Sequence, residues 1–99
     1  MVITILDAEV DEKNWDVLKR AYEEETAAMP DEIRQTFLIQ SKSKPTSWRI
    51  MTQWRSQDDL DEMRRTTPIP AAFRIFNKAG ANPSIGVWRI EIQKMNKKY

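Results

Sequence analysis

The sequence predicts a small α+β domain built in the order strand, helix, strand, strand, helix, strand. The reading rests on short alternating apolar runs near residues 2–8, 37–55 and 84–93, and on stretches of helical apolar spacing between them. Breakers are few, with two glycines and five prolines in 99 residues. A chain of this length supports one core, near the size at which the fraction of surface buried on folding becomes limiting, so a second copy would help to bury apolar surface.

Val2 to Ala8 alternates β-branched and aliphatic side chains and reads as a strand, its apolar residues on both faces suiting a central position. From Asp11 the spacing becomes helical: Trp15, Leu18, Tyr22 and Met29 form one stripe, flanked by Ala21. Asp11 and Glu12 suit the start of that helix, and Pro30 ends its main run, with Asp31 to Gln35 as a further turn. Phe37 to Lys42 and Ser47 to Arg55 read as an antiparallel pair joined by the polar, proline-containing loop Ser43-Lys-Pro-Thr. On the second of these, Trp48, Ile50, Thr52 and Trp54 share an apolar face, while Arg49, Met51, Gln53 and Arg55 share a mixed one.

Ser56-Gln-Asp-Asp-Leu has the form of a helix N-terminus, with Leu60 and Met63 beginning the buried stripe. Thr66-Thr-Pro-Ile-Pro breaks that helix, which resumes at Ala71 and closes at Gly80. Ser84 to Gln93 alternates again, placing Trp88, Ile90 and Ile92 on one face and Val87, Arg89 and Glu91 on the other. The domain is thus expected over residues 1–93, with 94–99 a basic tail. The order βαββαβ is the ferredoxin-like arrangement: a four-stranded antiparallel sheet with helices on one face. Its other face is expected to carry Met51, Val87, Arg89, Gln53 and Glu91, a mixed surface that a homodimer would cover about a two-fold axis.

Composition excludes several chemistries. There is no cysteine, hence no disulfide, thiolate nucleophile or cysteine-held metal, and no histidine, the commonest general base and metal ligand. No metal site and no cofactor are expected. The start lacks a basic n-region and cleavage site, and no apolar run reaches membrane-spanning length, so a cytoplasmic protein without membrane association is expected. Charge is segregated around a net +1: ten of fifteen acidic residues precede Thr36, and twelve of sixteen basic ones follow Gln35. No basic run is dense enough to act as a nucleic-acid tail.

At Trp54-Arg-Ser-Gln-Asp-Asp-Leu the chain resembles the antibiotic biosynthesis monooxygenase family, whose members often carry a strand ending in Trp-x-Ser before an acidic helix start. The resemblance implies a dimeric α+β barrel with face-to-face sheets and a pocket between each sheet and its helices. It also implies oxidation of aromatic or quinol-like small molecules without metal or flavin. Members commonly carry a histidine shortly after the motif, whereas this chain has Asp61 to Thr67 there; a haem-degrading branch that holds iron through histidine is therefore a poor match.

Such an oxygenase draws its electrons from the substrate, so the protein has only to bind it, exclude water and assist proton removal. Trp48, Trp54 and Trp88 are expected on the apolar sheet face, with Trp15, Tyr22, Phe73 and Phe76 opposite. Trp48, Trp88 and Trp15 read as core packing. The candidate substrate-binding set is Trp54, Tyr22, Thr52, Phe73, Phe76 and Asn77, with no catalytic residue assigned. One alternative is a non-enzymatic homodimeric module that binds a small hydrophobic ligand. Another is an RNA-recognition-like module, although the third strand lacks the Lys/Arg-Gly-Phe/Tyr pattern and the first strand has no aromatic residue.

Overall fold

The computed structural model describes residues 1–97. Strand β1 (Val2–Glu9) leads through a 3-10 turn (Glu12–Asn14) into helix α1 (Trp15–Glu25), followed by β2 (Ile33–Gln40), β3 (Ser47–Trp54), α2 (Gln57–Thr66), α3 (Ala71–Lys78) and β4 (Ser84–Arg89). The strands form one antiparallel sheet in the order β2-β3-β1-β4. This is the α+β, ferredoxin-like fold, with β1 and β3 central as the apolar character of β1 requires. Lys98 and Tyr99, the end of the expected tail, lie outside the described residues.

Cross-strand pairs define which side chains face the helices. Val2, Thr4, Leu6 and Ala8 of β1 lie opposite Trp54, Thr52, Ile50 and Trp48 of β3, and all eight are buried. Leu6, Ile50 and Trp48 pack with Leu18 and Ala21 of α1 and with Ile75 and Phe76 of α3 in a larger core. Val2 and Trp54 pack with Leu60 of α2 in a smaller one. Trp15 and Trp48 meet edge to face at 5.8 Å in the larger core, and the Trp15 indole donates to the Val10 carbonyl at 2.9 Å.

The helix boundaries follow local chemistry. Ser56 caps α2, its Oγ accepting from the Asp59 amide at 3.1 Å. After Thr66 the prolines at 68 and 70 stop the chain from continuing as a helix, so the helix layer is split in two. α3 ends in a Schellman arrangement, with Ala81 N–H donating to the Phe76 carbonyl and Gly80 N–H to that of Asn77. Gly80 takes the left-handed conformation that this closure needs, φ +75°.

Three expectations are corrected. α1 stops at Glu25, so Met29 is not part of its stripe, and Asp31 to Gln35 add no helical turn: Ile33 already pairs with Trp54, and a shift in register separates it from Gln35. Pairing with β3 outweighs the weak helical preference of so short a segment. Secondly, β4 ends at Arg89 rather than Gln93, with only the Ile90 amide continuing to the Met1 carbonyl. Thirdly, the faces of β4 are reversed. Trp88 pairs with Ile3 and turns to the open side, 61% exposed, whereas Val87 pairs with Thr4 and Arg89 with Val2 on the helix side. Trp88 therefore is not core. A methyl group on Gly86 would stand 3.0 Å from the Trp88 indole nitrogen, so the bare glycine leaves room for the ring to lie over the strand.

The open face thus differs from expectation. Phe37, Met51, Ile5 and Gly86 form one row across it, with Trp88 and Ile39 beside that row. Phe37 is 49% exposed and Ile39 41%. Gln53, on the same side, is buried beneath Met1 and Gln93 and accepts a hydrogen bond from Gln35 at 2.7 Å.

Candidate functional site

The break between α2 and α3 has a consequence on the sheet. In one row of the helix-side face, Leu38, Ile50 and Leu6 belong to the larger core; in another, Ile33, Trp54 and Val2 belong to the smaller one. Between these rows lies a third, formed by Thr36, Thr52 and Thr4 on adjacent strands. It belongs neither to the core under α1 and α3 nor to the one under α2. A cavity of about 610 Å³ occupies this seam, its wall largely apolar and its floor the threonine row.

The hydroxyls of the row are linked to one another and to Trp54. Thr36 and Thr52 share a hydrogen bond at 3.3 Å, and the Trp54 Nε1–H donates to Thr4 Oγ1 at 3.1 Å. Trp54 therefore has two roles: its ring packs on Val2 and Leu60, and its nitrogen fixes the Thr4 hydroxyl.

Of the residues expected from sequence, Trp54, Tyr22, Thr52 and Phe73 line the cavity. Phe76 is wholly buried in the larger core and Asn77 is exposed on α3, and neither reaches the cavity wall. Along α3 they fall on the core stripe and the solvent side, whereas Phe73, Ala72 and Ile75 border the cavity. Thr4 and Thr36 were not expected. Their alternation within each strand is legible, but only the pairing register reveals that they align with Thr52.

Two ion pairs border the cavity. Arg74 of α3 holds Glu25, at the end of α1, through Nε to Oε2 at 2.7 Å and Nη2 to Oε1 at 3.2 Å, and it also donates to the Ile69 carbonyl in the interhelix connection. These hydrogen bonds keep the Glu25 carboxyl below its ordinary pKa. Arg55 does the same to Asp59 through Nε at 2.8 Å and Nη2 at 3.1 Å, assisted by Ser56. Both carboxylates are consequently poorer proton acceptors than a free acid.

Among the described residues, no group of three or more Asp, Glu, His or Cys side chains is placed to hold a metal ion, and no helix is long and apolar enough to cross a membrane. The wall also offers haem iron neither imidazole nor thiolate, since the chain contains neither histidine nor cysteine.

No protein-family model matches the chain, and no curated protein matches its sequence. Solved structures do match its fold. A Deinococcus radiodurans protein provisionally assigned as an antibiotic biosynthesis monooxygenase superposes with a TM-score of 0.73 at 14% identity, covering 97% of this chain and 100% of that one. SnoaB, a cofactor-independent oxygenase from Streptomyces nogalater, gives 0.70 at 14% identity, covering 93% and 94%. A variant of MhuD with two manganese protoporphyrin IX molecules per active site gives 0.70 at 14% identity, covering 97% and 100%. Over nearly its whole length, the chain has the ferredoxin-like fold of solved antibiotic biosynthesis monooxygenases.

Proposed function

We propose that the protein is a cofactor-independent monooxygenase that oxidises an aromatic or quinol-like small molecule in the cavity between sheet and helices, and that it works as a homodimer. The observation that carries the reading is the cavity itself: about 610 Å³, walled by Trp54, Phe73 and Tyr22, and floored by hydroxyls. A filled core would have suited a purely structural domain; this space suits a one- to three-ring substrate. The fold shared with a cofactor-independent oxygenase supports the same reading.

The chemistry asks little of the protein. A quinol holds both the carbon to be oxygenated and the electrons required, so quinol plus O2 gives hydroxyquinone plus water, with one oxygen atom in each product. The cavity contributes by concentrating and orienting the substrate and by keeping bulk water from its reduced oxygen intermediates. Glu25 and Asp59, held ionised by Arg74 and Arg55, are not assigned as the base. The open sheet face, with Phe37, Ile39, Met51 and Trp88, supports self-association through apolar contact between two sheets.

Oxygen consumption by the purified protein with a naphthohydroquinone tests the reading. Catalysed uptake of one O2 per hydroxyquinone formed, reduced at least tenfold in Trp54→Phe, is the expected outcome. Binding without uptake above the uncatalysed rate would instead favour a non-enzymatic hydrophobic-ligand module.

A further inference from the structure

The threonine row carries more hydroxyl protons than its own hydrogen bonds use. Thr4 Oγ1 receives the Trp54 N–H, but its own proton has no acceptor among the described residues. Thr36 and Thr52 share a single bond, so one proton of that pair is likewise unspent. Thr4 is 4% exposed and Thr52 7%, and both border the cavity, so their free protons are open to an acceptor that enters it. Buried donors are costly to leave unmade, and Thr4, Thr36 and Thr52 all line the cavity.

From this we infer that the row is an oxygen-reading subsite: Thr4 and the Thr36–Thr52 pair donate to carbonyl or hydroxyl oxygens of an arene in the cavity, and Trp54 orients Thr4 for that purpose. The site therefore selects oxygenated arenes over hydrocarbons of the same size. Thr4 and Thr52 are positioning residues and transfer no proton themselves. The inference rests on the cavity reading above and adds the feature of the substrate that is recognised.

The test is calorimetric titration with 1,4-naphthoquinone and with naphthalene, which differ in the two oxygens. The chain has no cysteine, so the quinone meets no thiol to alkylate. The parent should bind the quinone at least tenfold more tightly than the hydrocarbon. Thr4→Val and Thr52→Val, nearly isosteric, should each reduce that preference by about three- to tenfold while retaining naphthalene binding, the range expected for one hydrogen bond. Thr4→Ser, which restores the hydroxyl, should recover it. A preference unchanged in both valine variants overturns the subsite and leaves the cavity standing. If neither probe binds the parent, the cavity reading and the subsite fall together. Should one valine variant fail to fold, the other still decides, because each removes a different donor.

Discussion

Arg74 grips Glu25 with two nitrogens, tying α3 to the end of α1 beside the cavity, while a third donates to the Ile69 carbonyl in the connection between α2 and α3. One guanidinium thus joins three pieces of backbone around the seam. The pair is partly exposed, 41% for the Arg74 side chain and 19% for Glu25, so solvent screening limits its worth to about 1 kcal/mol or less.

Its pH dependence has a definite sign. Arg74 lowers the Glu25 pKa below 4.5 in the folded state, so the stabilisation is complete above the unfolded value and disappears as pH falls through the lowered one. At pH 7 the parent should exceed Glu25→Gln in urea stability by up to about 1 kcal/mol. The gap should close as pH falls below the ordinary carboxylate range. A gap that stays constant over this range would show that Glu25 stabilises by packing rather than by charge.

The helix ends give two more expected outcomes. Ser56→Ala removes the acceptor of the Asp59 amide and should cost about 1 kcal/mol by chemical denaturation. Gly80→Ala should cost about as much for a different reason. A methyl group there has room, with Asn14 Nδ2 at 3.5 Å, so the penalty is that of the left-handed backbone alone. Gly80→Asn, which tolerates that conformation better, should be milder; an equal loss would point to crowding instead.

How much of this was legible in the sequence depended on whether a feature is local. Ser56, the break at Pro68 and Pro70, and the closure at Gly80 are written in a few adjacent residues, and they appear where the residues place them. The alternation of β3 was equally local and correctly assigned Thr52 and Trp54 to the buried face. What could not be read was any fact fixed by pairing. β4 alternates cleanly, but its own residues do not say which face meets the helices, and Trp88 looked more like core than Val87 did. The threonine row exists only as a relation among three strands. That Asn77 and Phe76 lie off the cavity wall was not legible, because a helix stripe wide enough for the core does not reveal which part of it borders empty space.

Trp54 separates packing from hydrogen bonding. Its ring is 6% exposed against Val2 and Leu60, so Trp54→Ala should cost about 3 to 5 kcal/mol. Trp54→Phe keeps an aromatic ring but loses the donor to Thr4, which should cost about 1 kcal/mol beyond any loss of packing. A Trp54→Phe, Thr4→Val double-mutant cycle measures the bond itself. A coupling near zero would mean that the indole nitrogen contributes nothing to the fold through Thr4.

The open sheet face provides the last prediction, and the register decides which residue to change. Phe37 lies on that face in line with Met51, Ile5 and Gly86, whereas Arg89 turns to the helix side and pairs with Glu91, both heavily exposed. Phe37→Glu places a charge in the middle of an apolar surface, and burying it against a second sheet without a partner would be strongly unfavourable. Because Phe37 is half exposed in a single subunit, the same change should alter the folding of one chain only slightly. Sedimentation at micromolar concentration should therefore show a dimer for the parent and for Arg89→Glu, and a folded monomer for Phe37→Glu. If Arg89→Glu dissociates the dimer while Phe37→Glu does not, the contact lies on the helix side. If the parent is itself monomeric, the apolar row from Phe37 to Gly86 is not a self-association surface, and the cavity would have to function within one subunit.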